Sequence, residues 1–292
     1  MSPCQATDRA TAIDCQWDTY FISSDDGLKL HSRVLGGGNR TCLLVHGYGE
    51  GAYIWTQFGR LLAPSYKVVA IDLRGHGNSE WSRSGNYGLD HYVRDTVRVI
   101  EALCDGRIFI IGHSLGGNIA LHIAALNPER IAGLVVIDFG PNLNPVARAR
   151  ARSALTEGKR AFDSIEQYAF ELKSRRPFLS TSVAHQIAKD SLRPCACGFE
   201  LKFDPAVARL FGAAQGDDAT SAILADIRCP IFVVRGALSA ILAPQAAERM
   251  VTLAKYGKLQ TIQRAGHAVV TDNPEEFSAA VLGFLGEISK GC

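Results

Sequence analysis

The chain has 292 residues, enough for one large core with an insertion, and 47% hydrophobic against 21% charged residues excludes a disordered chain. Its 31 Lys and Arg against 29 Asp and Glu leave a net charge of +2, which gives no draw toward nucleic acid or an anionic membrane surface. No run reaches the about 18 consecutive apolar residues of a membrane span. Met1–Gln5 lacks the basic-then-apolar design of a secretory leader, so a cytoplasmic location is expected.

In chain order, Trp17–Ser23 and Lys29–Leu35 flank Asp25-Asp26-Gly27, a hairpin signal. Thr41–Val45 is a buried strand that ends in His46-Gly47 and a glycine-rich loop running to Trp55. Lys67–Ile71 is the next strand. Arg107–Ile111 is an apolar strand that runs into Gly112-His113-Ser114-Leu115-Gly116 and then a helix. Gly133–Ile137 is a further strand and closes on Asp138. Strand periodicity then stops. Between Val146 and about Asp226 the pattern is helical, as in Ser164–Ser174 and Ser182–Leu192. Pro230–Arg235 and Lys258–Ile262 resume the strands, and Asn273-Pro274 opens a last helix. Alternation of this kind predicts a mostly parallel sheet with helices on both faces.

Three of these segments carry chemistry. A serine between a buried strand and a helix, with glycine two residues to either side, is a G-x-S-x-G turn that displays its hydroxyl above the sheet. A serine hydroxyl is a weak nucleophile until an imidazole takes its proton, and His267, after the last strand, is in the right chain order to do so. Negative charge developing on a carbonyl oxygen needs two backbone N–H groups. Leu115 follows the serine and supplies one, and Tyr48 in the glycine-rich loop supplies the other. His46 is expected to order that loop. His113, Trp55 and Phe139 are the candidates to touch substrate.

With Asp72-Leu73-Arg74-Gly75-His76-Gly77-Asn78-Ser79 added, the chain resembles the α/β-hydrolase superfamily, specifically its capped serine esterases, lactonases and C–C bond hydrolases. The resemblance implies an eight-stranded, mostly parallel sheet formed by residues 1–140 and 226–292, with a helical cap over 141–225. Serine at position 114 argues against epoxide hydrolases and haloalkane dehalogenases, which carry aspartate there. The resemblance implies hydrolysis of an ester, lactone or similar acyl bond in a small, largely apolar molecule, without cofactor or metal. C–C bond cleavage of a ketone-bearing substrate uses the same parts.

One position departs from the family. The triad acid usually follows the seventh strand, yet Arg235–Leu242 holds no carboxylate, and Ala240 stands where the aspartate belongs. Three readings remain open: an aspartate replaced at 240, an acid relocated to Asp138, or a binding relic that has lost hydrolysis.

Other features are weaker. The Lys173-Ser174-Arg175-Arg176 run reads as a solvated helix face or as a contact for an anionic substrate. Phe170, Phe178, Phe199 and Phe203 either line a pocket or pack the cap. Of the 8 cysteines, Cys42 and Cys104 read as core residues, and Cys195-Ala196-Cys197 is a weak metal signal better read as thiols in a reducing compartment. Monomer and homodimer are both open.

Overall fold

The computed structural model describes residues 16–141, 143–157, 161–196, 198–209 and 217–290. Eight strands form the main sheet: β1 (Asp18–Ser23), β2 (Lys29–Leu35), β3 (Thr41–Val45), β4 (Lys67–Ile71), β5 (Ile108–His113), β6 (Ile131–Ile137), and, after an insertion, β10 (Ile231–Gly236) and β11 (Gly257–Ile262). Their spatial order is β1-β2-β4-β3-β5-β6-β10-β11. The hairpin and the β2–β4 pair are antiparallel, and every other pairing is parallel.

The apolar runs are continuous because both faces of the sheet are covered. Ile108 and Ile110 of β5 face one core layer with α2 (Leu89–Leu103), α3 (Leu115–Leu126) and α8 (Pro244–Leu253). Phe109 and Ile111 face the other, with α1 (Thr56–Leu62) and α10 (Pro274–Lys290). The side-chain period of two thus divides one run between two cores.

The Asp72–Ser79 turn is a polar knot at the end of β4. Asp72 accepts the Ala52 N–H at 2.6 Å and the Asn78 N–H at 3.0 Å, and lies 2.7 Å from His31 Nδ1. Arg74, 2% exposed, grips Asp95 through Nε at 2.6 Å and Nη2 at 2.7 Å, and Asp26 through both terminal nitrogens at 3.0 Å. The Arg74 guanidinium holds Asp26 down to about 2, whereas burial dominates at Asp95 and raises it. Removing the cation strands a buried carboxylate, so Arg74→Ala should cost about 3–5 kcal/mol in chemical denaturation.

Between β6 and β10 lie α4 (Pro145–Glu157), β7 (Ala161–Phe162), α5 (Ile165–Arg175), α6 (Thr181–Ser191), β8 (Leu192–Cys195), β9 (Gly198–Leu201) and α7 (Asp217–Asp226). The helices at 165–175 and 181–191 fall within one residue of the sequence expectation. Each starts on a serine cap, Ser164 and Ser180, whose oxygen accepts an N–H three residues on. The small antiparallel sheet β7-β9-β8 was not expected, because strands of two to four residues show no periodicity. This insertion rests on loops that leave the carboxyl ends of the main strands. Asp204 N–H donates to Gly75 O at 2.8 Å, Tyr87 donates to Asp204 at 2.6 Å, and Leu155 meets the backbone at Gly49. Among the described residues no helix is long and apolar enough to cross a membrane.

Candidate active site

Ser114 caps α3 with φ 52° and ψ −114°, a left-handed conformation that costs a non-glycine residue about 1–3 kcal/mol. The flanking glycines follow from closeness of approach. A Cβ on Gly112 would lie 2.2 Å from Gly116 O, and one on Gly116 would lie 2.1 Å from Val45 O. The helix α3, β5 and the neighbouring strand β3 therefore meet with no room for a methyl group. Leu115 opens the helix, where the first N–H groups have no intrahelical acceptor and the dipole favours negative charge.

His267 lies in the loop between β11 and the short helix α9 (Val269–Asp272). Its Nδ1 is 2.7 Å from Asp138 Oδ2. Asp138 is fully buried, one residue beyond β6, also at positive φ (51°). Its carboxylate is fully engaged: Ser239 Oγ–H donates to Oδ2, and Gly236 N–H donates to Oδ1 at 3.2 Å. Ser239 Oγ in turn accepts the N–H groups of Ile241 and Leu242 at 3.1 and 3.3 Å. Arg235 ties the same loop by its carbonyls, with Nε donating to Leu242 O at 2.7 Å. The loop that usually carries the acid here carries a hydroxyl turned to a carboxylate on the neighbouring strand. Ala240 itself is exposed.

His46 is fully buried and orders the loop at Gly47. Its Nδ1–H donates to Gly47 O at 2.7 Å, and its Nε2 accepts the Leu73 N–H at 3.0 Å. Burial keeps it neutral by holding its pKa below the usual value. Tyr48 follows directly, half-buried, its phenol pushed up to about 12 by burial.

Two of the three residues expected to touch substrate are placed elsewhere. Trp55 has no exposed surface and packs, tilted by 52°, against Phe58 in the core under α1. His113 is 2% exposed and both ring nitrogens are taken, Nδ1 by Glu50 at 2.8 Å and Nε2 by His267 O at 2.9 Å. An aromatic near a glycine-rich loop can face either way, and here the 3-10 turn Ala52–Trp55 rolls it inward. Phe139 stays half-buried beside Asp138 and packs on the core near Gly117. Glu50 is the group at the site that sequence reasoning did not single out as a partner. It belongs to no recognisable spacing, because it meets its partner only through the fold, whereas Ser239 lies beside Ala240 in the segment already marked for its missing acid.

The basic run of the insertion is occupied by structure. Lys173 donates to Leu179 O at 2.7 Å, Arg175 pairs with Glu171, and Arg176 reaches Asp272 Oδ1 at 2.8 Å as well as Thr271. The other oxygen of Asp272 accepts the Gly266 N–H at 3.0 Å, next to His267. Of the four aromatics, Phe170 is 76% exposed, and Phe203 is core and stacks on His76. Phe178 and Phe199 are half-buried. Cys42, Cys104 and Cys229 are buried free thiols, and Cys197 lies outside the described residues. Among the described residues no group of three metal-binding side chains occurs.

A family model described as the alpha/beta hydrolase family matches residues 42–280. Esterase Rv0045c of Mycobacterium tuberculosis is 27% identical over 259 residues, 86% of this chain and 84% of its own length. A 2-(acetamidomethylene)succinate hydrolase of Mesorhizobium japonicum is 26% identical over 270 residues, 91% of this chain and 96% of its own. The crystal structure of an alpha/beta hydrolase from Novosphingobium aromaticivorans superposes with a TM-score of 0.83 at 28% identity, over 93% of this chain and 98% of that one. With most of its length matched by the family model and hydrolases among its relatives, this chain belongs to the alpha/beta hydrolase family and is a hydrolytic enzyme.

Proposed function

We propose that the chain cleaves an ester, lactone or similar acyl bond of a small, largely apolar molecule through an acyl-serine intermediate. The observation that carries this is the 2.7 Å pairing of His267 Nδ1 with the buried Asp138, which leaves the far ring nitrogen for the hydroxyl of a strained Ser114. In this reading Ser114 Oγ attacks the carbonyl carbon as His267 Nε2 takes its proton. The Tyr48 and Leu115 N–H groups receive the oxyanion. His267 then protonates the leaving oxygen, and water repeats the sequence to release the acid. Asp138 holds the tautomer with hydrogen on Nδ1 and stabilises the imidazolium that forms. The relocated acid is preferred to a lost one because the 236–242 loop is built around Asp138 rather than left with a gap. That relatives are named as an esterase and as a hydrolase of 2-(acetamidomethylene)succinate agrees with attack on an acyl carbonyl.

The test is a panel of p-nitrophenyl esters and simple lactones with purified protein. Turnover saturating with substrate supports the reading. Cleavage of ketone-bearing substrates without any ester turnover would replace it by C–C bond hydrolysis.

The insertion, residues 141–225, is proposed to act as a cap that sets acyl preference. Leu155 is its best-placed residue, since a Cβ on Gly49 would come within 2.7 Å of Leu155 Cδ2. Leu155→Ala should favour longer acyl chains in kcat/KM while the melting temperature changes little. Unchanged chain-length preference would remove Leu155 from that role.

A further inference from the structure

Three loops meet on one buried ring. Glu50 Oε2 accepts the Gly47 N–H at 2.8 Å and lies 2.8 Å from His113 Nδ1, while His113 Nε2 lies 2.9 Å from the main-chain oxygen of His267. Both neighbours of the ring are acceptors, one a carboxylate and one a carbonyl. A neutral imidazole offers one N–H and one lone pair, so it would set a lone pair against one of them. An imidazolium donates to both. The electrostatics agree. Burial opposes charge on each group, yet their mutual attraction holds Glu50 down to about 2 and His113 above its ordinary value.

We infer that His113 is a positioning residue that works as an imidazolium. Braced by Glu50, it locks the backbone of His267 to the loop bearing Tyr48, so that base and oxyanion donors keep one register. The inference rests on the acyl-transfer reading above. It gives the ring beside the nucleophile a task other than touching substrate, and gives Glu50 one for which its position in the sequence held no hint.

The groups facing His113 come from three segments. His46 and Glu50 both follow β3, Asp138 follows β6, and the His267 ring, after β11, lies 4.8 Å away, tilted by 44°. His46 is kept neutral by burial, so the two carboxylates set the field. When His267 accepts the serine proton, two imidazolium rings stand side by side, each with its own carboxylate. Deprotonation of His113 turns one of its two hydrogen bonds into an acceptor–acceptor contact and frees either the oxyanion loop or the His267 backbone.

Glu50→Gln separates charge from geometry, because one amide oxygen can accept both the Gly47 N–H and the His113 Nδ1–H. An opposite charge at this distance raises a histidine pKa by about 1–3 units. The rate of phosphonylation of Ser114 by a fluorophosphonate, followed from pH 5 to 10, should therefore lose its alkaline limb about 1–3 units earlier in Glu50→Gln than in the wild type. Nitrogen-15 NMR of the wild-type imidazole rings should show His113 carrying two N–H protons at pH 7. A wild-type alkaline limb in Glu50→Gln, or a neutral His113 in that spectrum, overturns the inference. The spectrum needs no variant and so decides even if Glu50→Gln does not fold. Absence of labelling at Ser114 in the wild type would instead overturn the acyl-transfer reading, and the two failures cannot be confused.

Discussion

Asp138→Asn will lower ester turnover by about three to four orders of magnitude, while Ala240→Asp will leave it nearly unchanged. The carboxylate receives three donors: His267 Nδ1–H and Ser239 Oγ–H on one oxygen, and Gly236 N–H on the other. An amide has one oxygen. Whichever way Asn turns, its NH2 faces a donor, and if it faces His267 the ring must accept through Nδ1 and carry its proton on Nε2. That tautomer cannot take a proton from Ser114. Aspartate at 240 would stand at an exposed position with the Asp138–His267 pair already made. Steady-state kinetics on both variants checks this, with near-UV circular dichroism to confirm folding. A large gain from Ala240→Asp would restore the reading in which an acid at 240 has been lost.

Ser114→Ala will reduce turnover by about 10^6-fold and abolish labelling by a fluorophosphonate. The wild type should gain a single adduct, located at residue 114 by peptide mass mapping. The size of the loss follows from the loss of the covalent route. The remaining oxyanion donors and binding contacts still favour direct attack by water, but without a nucleophile held at the head of α3. Adduct formation at a different serine, or esterase activity retained by Ser114→Ala, would move the chemistry away from this turn.

The elements that could be read from the sequence are those whose chemistry is local. Gly112 and Gly116 are demanded by a turn five residues long, and the run before them is long enough to be a strand whatever surrounds it. Asp138 could be found because topology puts the end of a neighbouring parallel strand beside the Ser114 turn, and one carboxylate stood there. The partners that could not be read are tertiary. Glu50 matters through a ring 63 residues away, with no pattern in its segment to mark it, and the segment of Ser239, marked for its missing acid, gave no sign that the hydroxyl binds an oxygen 101 residues away. Trp55 was misplaced for a related reason: composition gives an aromatic's appetite for burial but not the side from which it is buried. The small sheet of the insertion escaped because its strands are shorter than the window in which alternation can be seen.

The carboxylate of Asp272 is shared between the insertion and the loop that carries His267. One oxygen holds Arg176 of the insertion, and the other holds the main chain one residue before His267. A chimera that brings in another relative's insertion without an arginine at this point would leave that carboxylate without its cation and slacken the segment that carries His267. Transplants meant to alter substrate range would then disturb the His267 loop as well, unless Asp272 were changed in the same step.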